Sequence, residues 1–253
     1  MRIDLNADLG ESFGAYSIGN DAGLMRSITS ASVAAGFHAG DPSVLRETIR
    51  LAKASGVAVG AHPGFPDLVG FGRRELYVTP NEAEDLVLYQ IAAVKGVAAA
   101  EGVRVQHVKP HGALFNMAAR NAELSAAIAR AVAAIDPSLI LFGLPGSHIL
   151  KAGREAGLRV VAEAFADRAY EPDGSLASRQ KPGSLIHNAD LVVSRAIRMV
   201  KERTVVAIDG TVVPLAAETI CVHGDTPGSD ELAANLRAGL EAAGVTVKAI
   251  GQP

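Results

Sequence analysis

His38 and His62 each stand in a glycine-containing turn, His38-Ala-Gly-Asp41 and His62-Pro-Gly64, and each ends a set of small residues spaced by two: Ala34, Gly36, His38 and Ala58, Gly60, His62. Alternation at two residues puts such a set on one face of a strand. An imidazole titrates near neutrality and binds borderline metals, so either ring could serve as a general base or a metal ligand, or cap a backbone carbonyl at a strand end. Near the N-terminus, Asp4, Asn6 and Asp8 alternate with Ile3, Leu5 and Ala7. Carboxylates are not buried without compensation, so that polar face must meet hydrogen-bond donors, a cation or a metal. Asp8 and Glu11 flank Gly10 and could orient a histidine, hold a metal or accept from loop N–H groups.

Further along, Lys109 and His111 straddle Pro110 and could stabilise carboxylate or phosphoryl charge. Lys109 could equally pair with Asp4, Asp8 or Glu163. Glu163 interrupts an apolar run and precedes Asp167 and Arg168; a Glu163–Arg168 salt bridge would support the next loop as readily as it would touch a substrate. His223-Gly-Asp225 reads as an acid–base or carboxylate–histidine pair, with Cys221 deeper in the strand as packing. His148 and His187 fall away from the pattern, and Gly70–Arg74 is a basic loop that is either a solvated turn or an anion contact. The resulting catalytic candidates are Asp8, His38, His62, His223 and Asp225. Asn6, Lys109, His111, Glu163 and Arg168 are the candidates for binding substrate, and no set of metal ligands is assigned.

These residues must be positioned by an alternation of short β-rich runs and longer helical segments. Strands are expected at 2–8, 32–37, 57–61, 103–109, 138–143, 158–164 and 218–223. Helices are expected at 41–55, 80–101, 112–135, 147–156, 189–203 and 229–243, with a weaker one at 21–29. Asp41-Pro42 and Thr79-Pro80 are N-cap plus N1 pairs, and Gly56 is a C-cap. Repeated strand–helix units imply parallel strands with right-handed crossovers, closed either as an open doubly wound sheet or as a TIM-like (β/α) barrel. In both, ligands bind at the carboxyl ends of the strands, which is where the polar residues above recur. No linker divides residues 1–253, so one domain is expected, carrying a long loop at 168–184 of the kind that covers a site and a hairpin at 205–215 turning at Asp209-Gly210.

Composition narrows the class. Forty-five alanines, seven Phe, four Tyr and no Trp imply a core of Val, Leu and Ile with Ala at close helix–strand contacts. One cysteine excludes an intramolecular disulfide framework and thiolate-rich zinc sites, and fits a reducing cytoplasm. A net charge of −3 without runs of like charge argues against nucleic-acid or anionic-membrane binding. Asp4, Asp8 and Glu11 occupy the place of a signal-peptide apolar stretch, and the uncharged segment 137–150 is too short and too broken to span a bilayer. A soluble cytoplasmic protein is expected. The sequence carries no phosphate loop, dinucleotide fingerprint, nucleophile elbow or helical HExxH pair, so any nucleotide must use another cradle or a partner's site.

Six ordered motifs, DLNADLGESFG (4–14), SVAAGFHAGDP (32–42), GAHPGFPDLVGFGRR (60–74), VKPHGALFN (108–116), EAFADRAYEPDGSLASR (163–179) and VHGDTPG (222–228), resemble the LamB/YcsF family over essentially the whole chain. The resemblance implies a (β/α) TIM-like barrel of seven parallel strands, akin to glycoside hydrolase/deacetylase barrels. It implies opening of the lactam of 5-oxo-L-proline (pyroglutamate) to L-glutamate, with ATP as co-substrate and Mg as the divalent metal accompanying it. It also implies two partner chains, the 5-oxoprolinase subunits B and C. One departure is visible: the family's usual Cys before Gly-Phe-His is Ala35 here, which excludes thiol chemistry at that position. Two other readings remain: a stand-alone metal-dependent amide or deacetylase-type hydrolase, and a non-catalytic chain that presents substrate.

Overall fold

The computed structural model describes residues 1–251. In chain order its strands are β1 (Arg2–Leu9), β2 (Ser30–Ala34), β3 (Ala58–His62), β4 (Val105–Val108), β5 (Ile140–Gly143), β6 (Arg159–Phe165), β7 (Thr204–Val206), β8 (Val212–Pro214), β9 (Thr219–His223) and β10 (Thr246–Val247). The helices are α1 (Asp21–Leu24), α2 (Pro42–Ser55), α3 (Pro80–Ala100), α4 (Gly112–Arg120), α5 (Ala122–Ile135), α6 (His148–Glu155), α7 (Ala189–Lys201) and α8 (Ser229–Ala242).

Strands β1 to β6 pair in sequence as parallel neighbours, β6 pairs with β9, and β9 pairs with β1. The sheet therefore closes as a seven-stranded parallel barrel, and the open doubly wound alternative falls. A closed ring has no exposed edge and turns one face of every strand inward. The antiparallel β7–β8 hairpin lies outside this ring. So does β10, which pairs with Arg2 and Ile3 at the start of β1 and is too short, at two residues, to show a period in the sequence.

Local chemistry explains the helix ends. Asp41 accepts from the N–H groups of Ser43 and Val44, and Thr79 and Glu82 form a reciprocal capping box at the start of α3. The helix expected over 112–135 is two helices. Asn121 adopts extended backbone (φ −121°, ψ 110°) and its side chain accepts from Leu124 N–H, ending α4 and capping α5 in one residue. The strand expected at 32–37 runs instead from Ser30 to Ala34, leaving His38 in the following bend.

The outward face of β1, with Ile3, Leu5, Ala7 and Leu9, belongs to the main apolar core beneath the helices. The inward face is polar and fully partnered. Asp4 accepts hydrogen bonds from Thr29 Oγ1 at 2.7 Å, Ser30 Oγ at 2.6 Å and Thr219 Oγ1 at 2.5 Å. Hydroxyls from neighbouring strands thus compensate a carboxyl removed from solvent. The small residue Gly60 is explained here too: a Cβ on it would fall 2.1 Å from His107 Nε2. His107 fills that space, stacked on Phe142 with centroids 4.4 Å apart, and is a buried core residue.

Candidate active site

Above this floor, Lys109 extends from the end of β4 into a buried nest of acceptors. Its Nζ donates to Asp8 Oδ1 at 2.8 Å and Asn6 Oδ1 at 3.1 Å, and lies 2.8 Å from Glu163 Oε1 and 2.9 Å from Cys221 Sγ. Asn6 in turn donates to Glu163 Oε1 at 2.9 Å and to Thr219 Oγ1 at 2.7 Å. Burial opposes the charge on Lys109, but the carboxylates around it outweigh that cost and hold its pKa well above the usual lysine value. Burial likewise opposes the charge on Asp8, yet His62 and Lys109 keep its pKa well below the usual carboxylate range. Asn6 and Glu163, expected to bind substrate, are completely buried beneath the mouth and contact the Lys109 ammonium. The Glu163–Arg168 bridge does not form; Arg168 Nη2 donates to Ala177 O at 2.7 Å.

Three histidines gather beside Asp8. His62 Nδ1 lies 2.7 Å from the Lys109 carbonyl and must donate to it, while His111 Nε2 lies 2.8 Å from the Phe71 carbonyl and must donate there. Their remaining nitrogens, His62 Nε2 and His111 Nδ1, face one another at 2.9 Å. In neutral rings both would be lone-pair acceptors, so this contact demands a positive charge between them. Asp8 Oδ2 is 3.4 Å from His62 Nε2. His38 stacks on His111 with centroids 3.8 Å apart and planes inclined by 7°, and neither of its ring nitrogens has a hydrogen-bond partner. Glycines make this approach feasible: a Cβ on Gly64 would sit 2.5 Å from His38 Nδ1, and one on Gly72 would sit 2.7 Å from His38 Cβ. Burial first, then the neighbouring histidines, keep the pKa values of His38 and His111 well below the ordinary imidazole value.

Across the mouth, His223 at the end of β9 binds Asp167, not Asp225. His223 Nδ1 donates to Asp167 Oδ2 at 2.7 Å, and the ring stacks on Phe165. Burial disfavours the Asp167 charge, but His223 overcomes it and lowers the Asp167 pKa. Asp225 instead accepts from Arg73 Nη2 at 2.8 Å. The expected His223–Asp225 pair fails because the strand ends at His223, and the two-residue parity does not continue into the following turn.

Between the two groups opens a cavity of about 740 Å³ walled by Asp8, His62, Lys109, His111 and His223 together with Arg73, Arg168 and Arg179. Residues 173–180 of the long loop form one side of it. Tyr170 anchors that loop, its hydroxyl accepting from Phe165 N–H at 2.8 Å while its ring is completely buried. Burial and then Arg179 push the Arg168 pKa down to about 10, and burial and then Arg73 lower that of Arg179. Arg73, Arg168 and Arg179 thus bring three guanidinium groups to the wall of one cavity. Sequence reasoning misses Arg179 because loop composition gives no direction, and it leaves Arg73 open between a solvated turn and an anion contact.

A closed parallel barrel whose carboxyl-end mouth joins histidine–carboxylate pairs to an arginine-lined cavity defines a (β/α)-barrel protein with its buried polar groups gathered at one end of the ring. More particularly, residues 3–253 match the model of the LamB/YcsF family, and the chain belongs to that family. It is 55% identical over 248 residues, 98% of each chain, to the A subunit of 5-oxoprolinase from Bacillus licheniformis. It superposes with a TM-score of 0.94 and 52% identity on the crystal structure of the lactam utilization protein from Thermus thermophilus, covering 99% of this chain and 100% of that one. A family 4 carbohydrate esterase from Streptomyces lividans shares the fold alone, with a TM-score of 0.50 and 13% identity over 99% of this chain and 93% of the esterase. Among the described residues no helix is long and apolar enough to cross a membrane.

Proposed function

We propose that this chain is the lactam-opening component of an ATP-dependent 5-oxoprolinase, acting in the cytoplasm with subunits B and C to convert 5-oxo-L-proline to L-glutamate. The single observation that carries the proposal is the juxtaposition, around one cavity, of the Asp8–His62–His111 group, the Asp167–His223 pair and three arginines. Whole-length similarity to proteins named as the A subunit of 5-oxoprolinase and as lactam utilization protein supports the choice of substrate.

An unstrained five-membered lactam resists water because its nitrogen lone pair is delocalised into the carbonyl. Transfer of the ATP γ-phosphoryl group to the lactam oxygen removes that protection and leaves the carbon electrophilic. One water adds to this carbon and loses its proton to the Asp8 carboxylate, which lines the cavity beside His62. The C–N bond then breaks as His223, oriented by Asp167, gives its Nε2 proton to the departing ring nitrogen. A second water cleaves the resulting acyl phosphate to glutamate and inorganic phosphate. Arg168 and Arg179 hold the substrate carboxylate or the phosphoryl group, since guanidinium pairs both through two donors. Mg accompanies ATP as its counter-ion, and the nucleotide itself is assigned to a partner chain.

The test is reconstitution with subunits B and C from 5-oxoproline, ATP and Mg. Glutamate and phosphate should appear only when all three chains are present. Glutamate formed without this chain would refute the assignment.

A further inference from the structure

We infer that Glu11, His38, His62 and His111 form a binding site for one first-row transition-metal ion of the zinc type, at the wall of the reaction cavity. The inference stands on geometry and does not depend on the identity of the substrate. Their candidate donor atoms all lie within 4.8 Å of one another, and all four residues are buried. Glu11 Oε1 is 4.0 Å from His38 Nε2 and 3.9 Å from His111 Nδ1, and His62 Nε2 is 2.9 Å from His111 Nδ1. Four ligands around Zn²⁺ at ordinary bond lengths stand about 3.3 Å apart on tetrahedral edges. The observed separations bracket that value, and the shell is completed when His38 turns out of its 7° stack on His111, because an ion lies in the plane of each imidazole that binds it.

Two features of the cluster are left unexplained by a proton alone. A shared proton would reconcile the facing lone pairs of His62 and His111, whose other nitrogens are committed to carbonyls. It would leave His38 with both ring nitrogens buried and unpartnered, and its neighbour Glu11 buried as well. A cation at the centre of the four gives each residue a partner. The backbone carbonyls on His62 and His111 are then the outer contacts that fix ring tautomer and direction in metal sites. Three imidazoles and one carboxylate suit Zn²⁺, Co²⁺ or Fe²⁺ and not Mg²⁺ or Ca²⁺, which prefer oxygen. His62 and His111 also line the cavity, so the ion would have one side toward bound ligand, where it could draw charge from a carbonyl or carboxylate.

The decisive experiment titrates the chelator-treated full chain with Zn²⁺ or Co²⁺, following stoichiometry by calorimetry, the Co²⁺ visible spectrum and X-ray absorption. One ion per chain is expected, in a shell of nitrogen and oxygen only, undisturbed by excess Mg²⁺. Glu11→Gln, His38→Gln and His111→Gln, each checked for native circular dichroism, should weaken binding by at least about 100-fold. His148→Gln, on an exposed histidine, should bind as the parent does. Absence of stoichiometric binding, unchanged affinity in the folded variants, or a sulfur ligand near about 2.3 Å would overturn the inference. The last result would put the ion at the neighbouring Asp8, Cys221 and His223. Because the readout needs no lactam, it is independent of the proposed reaction.

Discussion

His223 and Asp167 are joined by a 2.7 Å hydrogen bond that ties the end of β9 to a residue just past the end of β6, the strand beside it in the barrel. The carboxylate fixes the proton on Nδ1 and leaves Nε2 for chemistry. Asp167→Asn should keep the shape while unsettling the tautomer. Turnover of the reconstituted enzyme is expected to fall on the order of 100-fold with little change in KM. Steady-state kinetics with a denaturation control checks this, and an unchanged kcat would remove the pair from the mechanism.

Lys109 answers a different question, because its charge is enclosed by Asp8 and Glu163 and is only 2% exposed. Lys109→Met should leave two buried carboxylates uncompensated and destabilise the fold by about 3–5 kcal/mol. Glu163→Gln, which retains hydrogen bonding to Asn6, should cost much less. Urea unfolding at pH 7 ranks the two variants, and equal losses would contradict the account of the nest.

The arginines should act on binding. Arg179→Gln and Arg168→Gln each remove one charge-assisted contact worth about 1.5–3 kcal/mol. KM for 5-oxoproline is therefore expected to rise roughly 10- to 100-fold in at least one of them, with kcat less affected. If KM held while kcat collapsed, these side chains would be meeting charge that develops only during reaction.

His107 gives the pH dependence of stability a sign. Burial, reinforced by Lys109, lowers its pKa to about 3, against an ordinary value of 6.5. The folded protein refuses a proton that the unfolded chain accepts. Its contribution is therefore complete above pH 6.5 and is lost as pH falls from there toward 3, at up to about 1.4 kcal/mol per unit. His38, also lowered, acts in the same direction. Between about pH 6.5 and 4.5, His107→Leu should lose about 2–3 kcal/mol less than the parent. Denaturation midpoints across that range test it; parallel curves would show that His107 does not titrate in the window.

The barrel strands were legible in the sequence because a polar face repeating every two residues cannot be an ordinary buried strand, and β1 carries that signal over Asp4, Asn6 and Asp8. The same pattern put His62 and His223 at the ends of their strands, and His38 and His111 in the turns just beyond theirs. Depth and partner choice were not legible. Asn6 and Glu163 share the face of the site residues but lie a layer below, and parity does not encode depth. His223 finds Asp167 through the lateral pairing of β6 with β9, a contact between residues 56 positions apart. Asn121 signalled an N-cap within what read as one periodic segment, and the apolar pattern on both sides concealed the break.

The measurement closest to the central claim is glutamate release from 5-oxoproline by the complex assembled with subunits B and C, comparing the parent chain with the His38→Ala/His62→Ala double variant. The variant should assemble and remain folded yet lose at least about 100-fold in glutamate formation, because His62, which holds and ionises the Asp8 carboxylate, is gone. Glutamate release at the parental rate would contradict the placement of lactam opening at this barrel mouth.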